Sequence, residues 1–373
     1  MPVEYRLDVK TASGALVAQV TDMLTLSIAE QVNAPGLGDW SVNQAHQVVP
    51  LISDKYQVEV WRRWKEKGIA WYREFDSIYR DEEQETDTDS ARHFAARCYG
   101  PLHILGWREN SYVTEVANKT KWAGKPPETI CKDIVRNNLT STGTTGAGRD
   151  RNATSGGTIN GFTVTVEMDA ARGISQDYQK ARNEVLRDLQ DIQAANVSSA
   201  QPFDFDLVKT GSATYQFRYY PGQRGTDRTA SVVFSEAYDN MRHPVLRKMR
   251  SEEHTAFVVG GQGQKGERVI RTRTGANFST TNDIEAFVDG RNSSTNAALD
   301  ALGDKEATKQ RMRPHISYEV VQNGAKLYGR DYFLGDLVTA RYAGLTFVQQ
   351  VYRVSLVWQP TGKEDVRIEM RDI

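Results

Sequence analysis

Apolar and polar residues alternate with period two at both ends of this chain, which restricts it to a mainly β architecture. Over residues 3–9, Val3, Tyr5, Leu7 and Val9 alternate with Glu4, Arg6 and Asp8. A half-buried strand needs this spacing because successive side chains point to opposite faces. Ser13-Gly14 turns the chain into a return strand over 16–20, and 24–28 alternates again. The pattern is compact over 57–61, where Val58 and Val60 share a face, and longest over 345–358, with another strand over 364–370. The segment 316–342 reads as strand, turn, strand. Ile316, Tyr318 and Val320 lead into Asn323-Gly324, a pair suited to the φ > 0 positions of a tight hairpin. A second turn at Gly335-Asp336 leads into Leu337-Val338-Thr339. This is the pattern of a β-barrel wall, and nothing in it is a reactive group.

The middle third changes period. Pro126-Pro127 can open a helix, and Ile130, Ile134, Val135 and Leu139 follow at helical spacing. A long Gly/Ser/Thr/Asn-rich loop occupies 141–157, and a strand is expected over 162–168. The strongest helical signal covers 178–195, where Ala181, Val185, Leu189 and Ile192 form an apolar stripe. Strands are expected next over 203–208, 214–219 and 230–234, then over 256–259, 268–273 and 285–288, with a further helix over 294–309. Helix followed by meander is an α+β signature. The expected organisation is an N-terminal β-barrel-like domain at 1–100, an α+β insert at 101–240 and a C-terminal β-barrel-like domain at 241–373.

Composition narrows the function classes. A 373-residue chain with 39% hydrophobic and 25% charged residues suits two to three globular domains rather than disorder. Lys plus Arg total 47 against 48 Asp plus Glu, so the formal charge of −1 supplies no net cationic excess for phosphate. Cys98 and Cys131 match no metal spacing and make no disulfide framework, which fits a reducing compartment. The opening residues alternate like a strand and lack the apolar core of a signal peptide, and no apolar run is long enough for a membrane-spanning helix.

Candidate chemical motifs are few. Val258–Gly266 (VVGGQGQKG) is glycine-rich after a strand, but the next residues alternate instead of opening a helix, so a turn or bulge is expected and not a phosphate cradle. Gly143–Gly148 (GTTGAG) lies in the loop and is read the same way. His46, His93, His103, His243, His254 and His315 include no i, i+4 pair, and no Gly-x-Ser-x-Gly elbow occurs. The carboxylate pairs Glu82-Glu83 and Glu252-Glu253 are adjacent residues that diverge on a strand or helix. The expectation is no catalytic, cofactor-binding or metal-ligating residue. Trp61, Trp71, Tyr72, Phe75 and Tyr79, interleaved with Arg62, Arg63, Lys65, Lys67 and Arg73, admit a glycan- or nucleic-acid-stacking face or, more simply, a wall or subunit interface. The acidic run 81–89, read as a solvated loop or strand edge, would cancel much of their local field.

Several of these segments, in this order, resemble the tail-hub proteins of siphophages. They are EYRLDV at 4–9, VNAPG at 32–36, VEVWR at 58–62, ATYQFR at 213–218 with Tyr220-Pro221-Gly222, VVGGQG at 258–263, EAFVD at 285–289 and YGRDYFLGDLV at 328–338. Residues 65–89 and 141–157 depart from the family pattern. The resemblance implies two tail-tube-like β-barrels per subunit plus a smaller α+β domain. It also implies a non-enzymatic homotrimer adapting a six-fold tail tube to a three-fold tip. Its partners would be a distal tail or tube protein above, a tip or fibre protein below, and phage DNA passing without sequence-specific binding. The implied location is the virion tail tip, after assembly in the host cytoplasm. A carbohydrate- or receptor-binding tail protein and a cell-wall hydrolase are the alternatives.

Overall fold

The computed structural model describes residues 2–86, 92–110, 115–116, 119–140, 158–180, 183–198, 201–263, 265–291, 295–323 and 325–373. The chain divides into two compact units, one of residues 1–193, 203–242 and 319–373, the other of residues 194–202 and 243–318.

In the first unit the alternating segments at the two chain ends build one eleven-stranded sheet. Its order is Val233–Phe234, Leu337–Tyr342, Leu345–Trp358, Thr25–Gln31, Leu37–Asn43, Arg92–Tyr99, Ile69–Thr86, Gln57–Trp64, Glu4–Lys10 and Leu16–Val20, with Glu364–Asp372 on Leu345–Trp358. Among the described residues these pairings form an open path. The N-terminal and C-terminal parts of the chain join inside this path, where Leu345–Trp358 pairs antiparallel with Thr25–Gln31, Leu356 opposite Ile28. Leu7, Val9, Val58, Val60, Ile28, Val354 and Leu356 are buried, as the alternation requires.

The α+β elements form a four-stranded sheet in the order Thr158–Ile159, Phe162–Val166, Thr214–Pro221, Phe203–Lys209. Helix Pro127–Leu139 begins at the proline pair and buries Ile130, Ile134, Val135 and Leu139, the four residues at helical spacing. These residues pack with Val185, Leu189 and Ile192 of helix Val185–Ser198 and with Phe162, Phe203, Phe205, Tyr215 and Phe217 of the sheet. Burying this many large apolar side chains gives the insert a core of its own.

The second unit has a three-stranded sheet, Ile270–Thr274, Ala256–Gly260, Glu285–Asp289, and helix Asn296–Lys309. Thr295 caps the helix by accepting from the Ala298 N–H at 3.2 Å. Arg271 and Arg273 each fork onto a helix carboxylate, Asp300 and Asp304, at 2.7–3.0 Å. A separate two-stranded sheet joins Met241–Lys248 to Pro314–Val320.

The mainly β class is borne out, and two local expectations are corrected. The 178–195 helix starts at Val185; Tyr178 belongs to strand Gln176–Lys180, which pairs with Lys119–Lys125, and its ring lies 5.9 Å from Trp122. Local propensity yields there to an aromatic cross-strand contact. Of the two readings of the acidic run, the strand edge holds over 81–86: these exposed residues continue strand Ile69–Thr86 and pair with Arg92–Tyr99, whereas Gln57–Trp64 pairs only as far as Ile78, and residues 87–89 lie outside the described residues.

The second correction concerns 316–342. Strand Pro314–Val320 pairs with Met241–Lys248 and not with its sequence neighbour, and the described residues between it and Leu337–Tyr342 form no regular strand. Polar side chains take the backbone donors instead. The Asn323 carboxamide oxygen accepts from Ala325 and Lys326, Asp331 from Leu327, and Asp336 from Phe333. Asn and Asp compete with ladder pairing in this way. Gly324 of the expected hairpin turn lies outside the described residues.

Candidate functional site: a buried clamp across the chain ends

A buried polar cluster joins strands of the large sheet. Arg62, on strand Gln57–Trp64, is 1% exposed at its side chain and forks onto Glu364, on the last strand and 3% exposed, with Nε–Oε1 at 2.7 Å and Nη2–Oε2 at 2.6 Å. Its Nη1 donates to the Tyr72 hydroxyl at 3.0 Å and to the Tyr328 carbonyl at 3.3 Å. Tyr5 donates its hydroxyl to Glu364, Tyr72 donates to Glu74, and Tyr328 donates to the other Glu74 oxygen at 2.9 Å. Burial, followed by the Glu364 carboxylate, drives the Tyr5 phenol well above its ordinary range, and burial also raises Glu74 against the pull of Arg62. The charges are compensated in place. Bidentate guanidinium–carboxylate geometry is directional, so it fixes register as well as supplying attraction.

A second clamp explains Gly335-Asp336. Asp336, 3% exposed, accepts from the Thr226 N–H at 2.7 Å, Arg228 Nε at 2.5 Å and the Phe333 N–H at 3.0 Å. The backbones approach so closely that a Cβ on Gly225 (φ 118°) would lie 2.4 Å from the Gly335 carbonyl carbon. A Cβ on Gly335 (φ 93°) would meet Arg224 Cγ at 2.6 Å. The turn holds the two backbone segments in close approach, with the Asp336 carboxylate tying them together. Asp204, fully buried, adds a third tie by accepting from Asn33, Gln350 and the Arg224 N–H at 2.7–2.9 Å.

A cavity of about 210 Å³ near these ties is lined by Glu30, Glu74, Asp76 and Asp206 together with Arg73, Lys209 and Arg224. Burial, then the Glu74 carboxylate, pushes Glu30 up to about 8, against Arg224. Among the described residues no group of three or more His, Cys, Asp or Glu is placed to hold a metal ion, and no helix is long and apolar enough to cross a membrane.

The aromatic stretch resolves residue by residue. Phe75 and Tyr79 are buried. Arg6 lies 5.4 Å from the Trp61 ring and 5.3 Å from Trp71, and Arg63 lies 4.7 Å from Trp71. These indoles are occupied by guanidinium groups of the chain itself. Gly260 ends a strand, and two bonds, Gly261 N–H to Val269 O and Val269 N–H to Gln262 O, close a turn back into Ile270–Thr274. The turn reading of 258–266 therefore stands, while 143–148 lies outside the described residues. Glu252 is exposed, whereas Glu253 is buried and accepts from Asn277 at 2.6 Å. Both cysteines are free and buried, and burial lifts the Cys98 thiol to about 12. The ties made by Arg62, Glu364, Asp336 and Asp204 leave no local signal in the sequence because their main partners are remote, 302 residues apart for Arg62 and Glu364.

Residues 6–370 match the family described as siphovirus ReqiPepy6 Gp37-like protein. The chain belongs to that family of siphovirus tail proteins. Its fold is shared with the tail protein from Neisseria meningitidis MC58 (TM-score 0.56, 11% identity, 99% of this chain and 97% of that one). It is shared equally with the 43 kDa tail protein of prophage MuSo2 from Shewanella oneidensis (TM-score 0.56, 13% identity, 99% and 98%). Prophage tail protein gp18 from Listeria monocytogenes EGD-e is also similar (TM-score 0.53, 9% identity, 98% and 94%). No curated protein sequence matches the chain.

Proposed function

We propose that this chain is a structural hub of a siphophage tail tip, a homotrimer in which each subunit supplies two tube-like β-barrel modules to a ring of pseudo-six-fold symmetry. The ring adapts the six-fold tube above to the three-fold tip below and forms part of the channel through which DNA leaves. In this reading the β-rich segments 1–100 and 241–373 supply the ring modules, and 101–240 supplies the α+β domain. The protein acts at the virion tail tip after assembly in the host cytoplasm.

The observation that carries the reading is the large sheet woven from both chain ends and locked by the Arg62–Glu364 pair. A ring component must transmit load through its wall without opening, and a buried bidentate pair resists strand slippage. The polar groups of the clamp are consumed by one another, which favours a structural role over catalysis. Trp61 and Trp71 are covered by Arg6 and Arg63, which disfavours a sugar-stacking platform. The test is electron microscopy of the purified chain mixed with the tail-tube protein of its phage. Three-fold rings capping tube ends support the proposal. Free tubes beside monomers, or turnover of peptidoglycan by the pure chain, refute it.

A further inference from the structure

In the first unit, the loop between strands Phe162–Val166 and Gln176–Lys180 holds an apolar tip stiffly in water. Lys132 Nζ donates to the Met168 carbonyl at 2.7 Å, and the Thr129 hydroxyl donates to the Asp169 carboxylate at 2.8 Å. The Ala170 N–H, the Arg172 N–H and the Arg172 guanidinium all donate to Glu128, at 2.7–3.3 Å. Asp169 also accepts from the Ala171 N–H at 3.0 Å. Each residue from 168 to 172 is thereby tied to helix Pro127–Leu139 or to a neighbour in the loop. Glu128 and Lys132 are fully buried, and a Cβ on Gly173 (φ 97°) would lie 2.5 Å from Pro127 Cγ. What this framework presents is apolar. Met168 is 90% exposed, the highest value for a large apolar side chain among the described residues, and Ile174, Ala170 and Ala171 are exposed beside it. A tip ordered before it binds spares the contact the cost of ordering it, and its apolar groups gain by leaving water.

The same unit carries a socket of matching chemistry. A cleft of about 440 Å³ lies between the short turn Glu236–Tyr238 and the Ala343-Gly344 turn that joins Leu337–Tyr342 to Leu345–Trp358, and Ala237, Tyr238, Tyr342, Ala343 and Leu345 line it. Both walls are fixed. Ala343 (φ 51°) and Gly344 (φ 76°) occupy the two left-handed positions of a tight hairpin. On the other wall Asn240 accepts from the Ser235 N–H at 2.8 Å, and Asn323 donates to the Tyr238 carbonyl at 3.0 Å. The Tyr238 side chain stays exposed. Thioethers make favourable contacts with aromatic rings, and an unbranched methionine fits an irregular gap.

We infer that the Met168–Ile174 tip of one copy seats in the Tyr238–Tyr342 cleft of the next copy. Met168 is too exposed to be seated in the cleft of its own chain. Tip and cleft are different surfaces, so the contact is heterologous and closes into a ring when the rotation between copies allows. A second copy is the occupant because one chain supplies both halves, a pre-ordered apolar knob and a rigid aromatic-walled hole. This rests on the reading of the chain as a ring-forming protein.

The test mixes full-length M168C chains with full-length Y238C chains and bridges them with a short bis-maleimide. The native thiols, Cys98 and Cys131, are buried, so the introduced ones report the contact. A crosslinked pair holding one chain of each kind is expected. Sedimentation across a concentration series should show M168D weakening self-association by about tenfold or more, with the circular dichroism spectrum of the wild type retained because the substituted side chain faces water. High salt should leave the wild-type association in place, since the contact is apolar. Oligomers in which M168C and Y238C fail to crosslink, or which M168D leaves intact, overturn this inference while leaving the ring reading standing. A wild type monomeric at all concentrations overturns both. Binding to phosphatidylglycerol vesicles that M168D abolishes, beside unaltered oligomers, assigns the tip to a lipid surface and overturns the copy-to-copy contact.

Discussion

Replacing Glu364 by alanine removes the acceptor of two Arg62 bonds and of the Tyr5 hydroxyl. Arg62 would then keep only the Tyr72 hydroxyl and the Tyr328 carbonyl, at 3.0 and 3.3 Å, around a guanidinium that is 1% exposed. Breaking one side of a buried ion pair costs about 3–5 kcal/mol, because the surviving charge is left without compensation. At roughly 2–4 °C per kcal/mol for a unit of this size, E364A should lower the melting temperature of the first unit by about 6–20 °C. R62M should cost a similar amount. R62M/E364L should be less damaging than the two single changes added together, since no charge is then stranded. Thermal unfolding followed by circular dichroism reads all three. The reasoning is refuted if E364A melts within about 2 °C of wild type, or if the double variant is fully additive.

Other consequences are equally concrete. Gly225→Ala, which places a Cβ 2.4 Å from the Gly335 carbonyl carbon at φ 118°, should cost well over about 1 kcal/mol by urea denaturation. Glu30 and Glu128 should respond to pH with opposite signs. Glu30 titrates at about 8 in the fold against 4.5 ordinarily, so the fold holds its proton more tightly than the unfolded chain. Stability from that group is complete below about 4.5 and lost as pH rises to about 8, and E30Q should gain on wild type across this window in urea midpoints. For Glu128, burial opposes ionisation, but bonds from Arg172 and Lys132 outweigh it and lower the carboxyl to about 2. Its contribution is therefore present above about 4.5 and lost as pH falls toward 2, so the E128Q deficit should shrink on acidification. Trp71→Ala should leave glycan retention on a peptidoglycan column unchanged while lowering stability by roughly 0.5–2 kcal/mol through two lost cation–π contacts.

Much of the fold was legible because local pattern and burial agree. Leu345–Trp358 and Leu16–Val20 fall where alternation puts them, and helix Pro127–Leu139 begins at its proline pair. Legibility failed where remote partners decide. Tyr178 sits in a strand because Trp122 and Lys119–Lys125 receive it, and nothing within 178–195 records those partners. Residues 316–342 have strand-forming composition, yet Asn323, Asp331 and Asp336 divert their backbone donors, while Gly225 and Arg224 wait about 110 residues upstream. The clamp is hidden for the same reason: Arg62 in VEVWRRW looks like any solvated cation until the last strand brings Glu364 over it.

A three-fold ring is the working form proposed for this chain. Its mass in solution, measured on the intact protein at micromolar concentration and low salt, tests that most directly. The proposed ring requires a species of three times the 41.9 kDa chain mass, seen as closed rings when imaged. A stable 41.9 kDa monomer over the whole concentration range would contradict it.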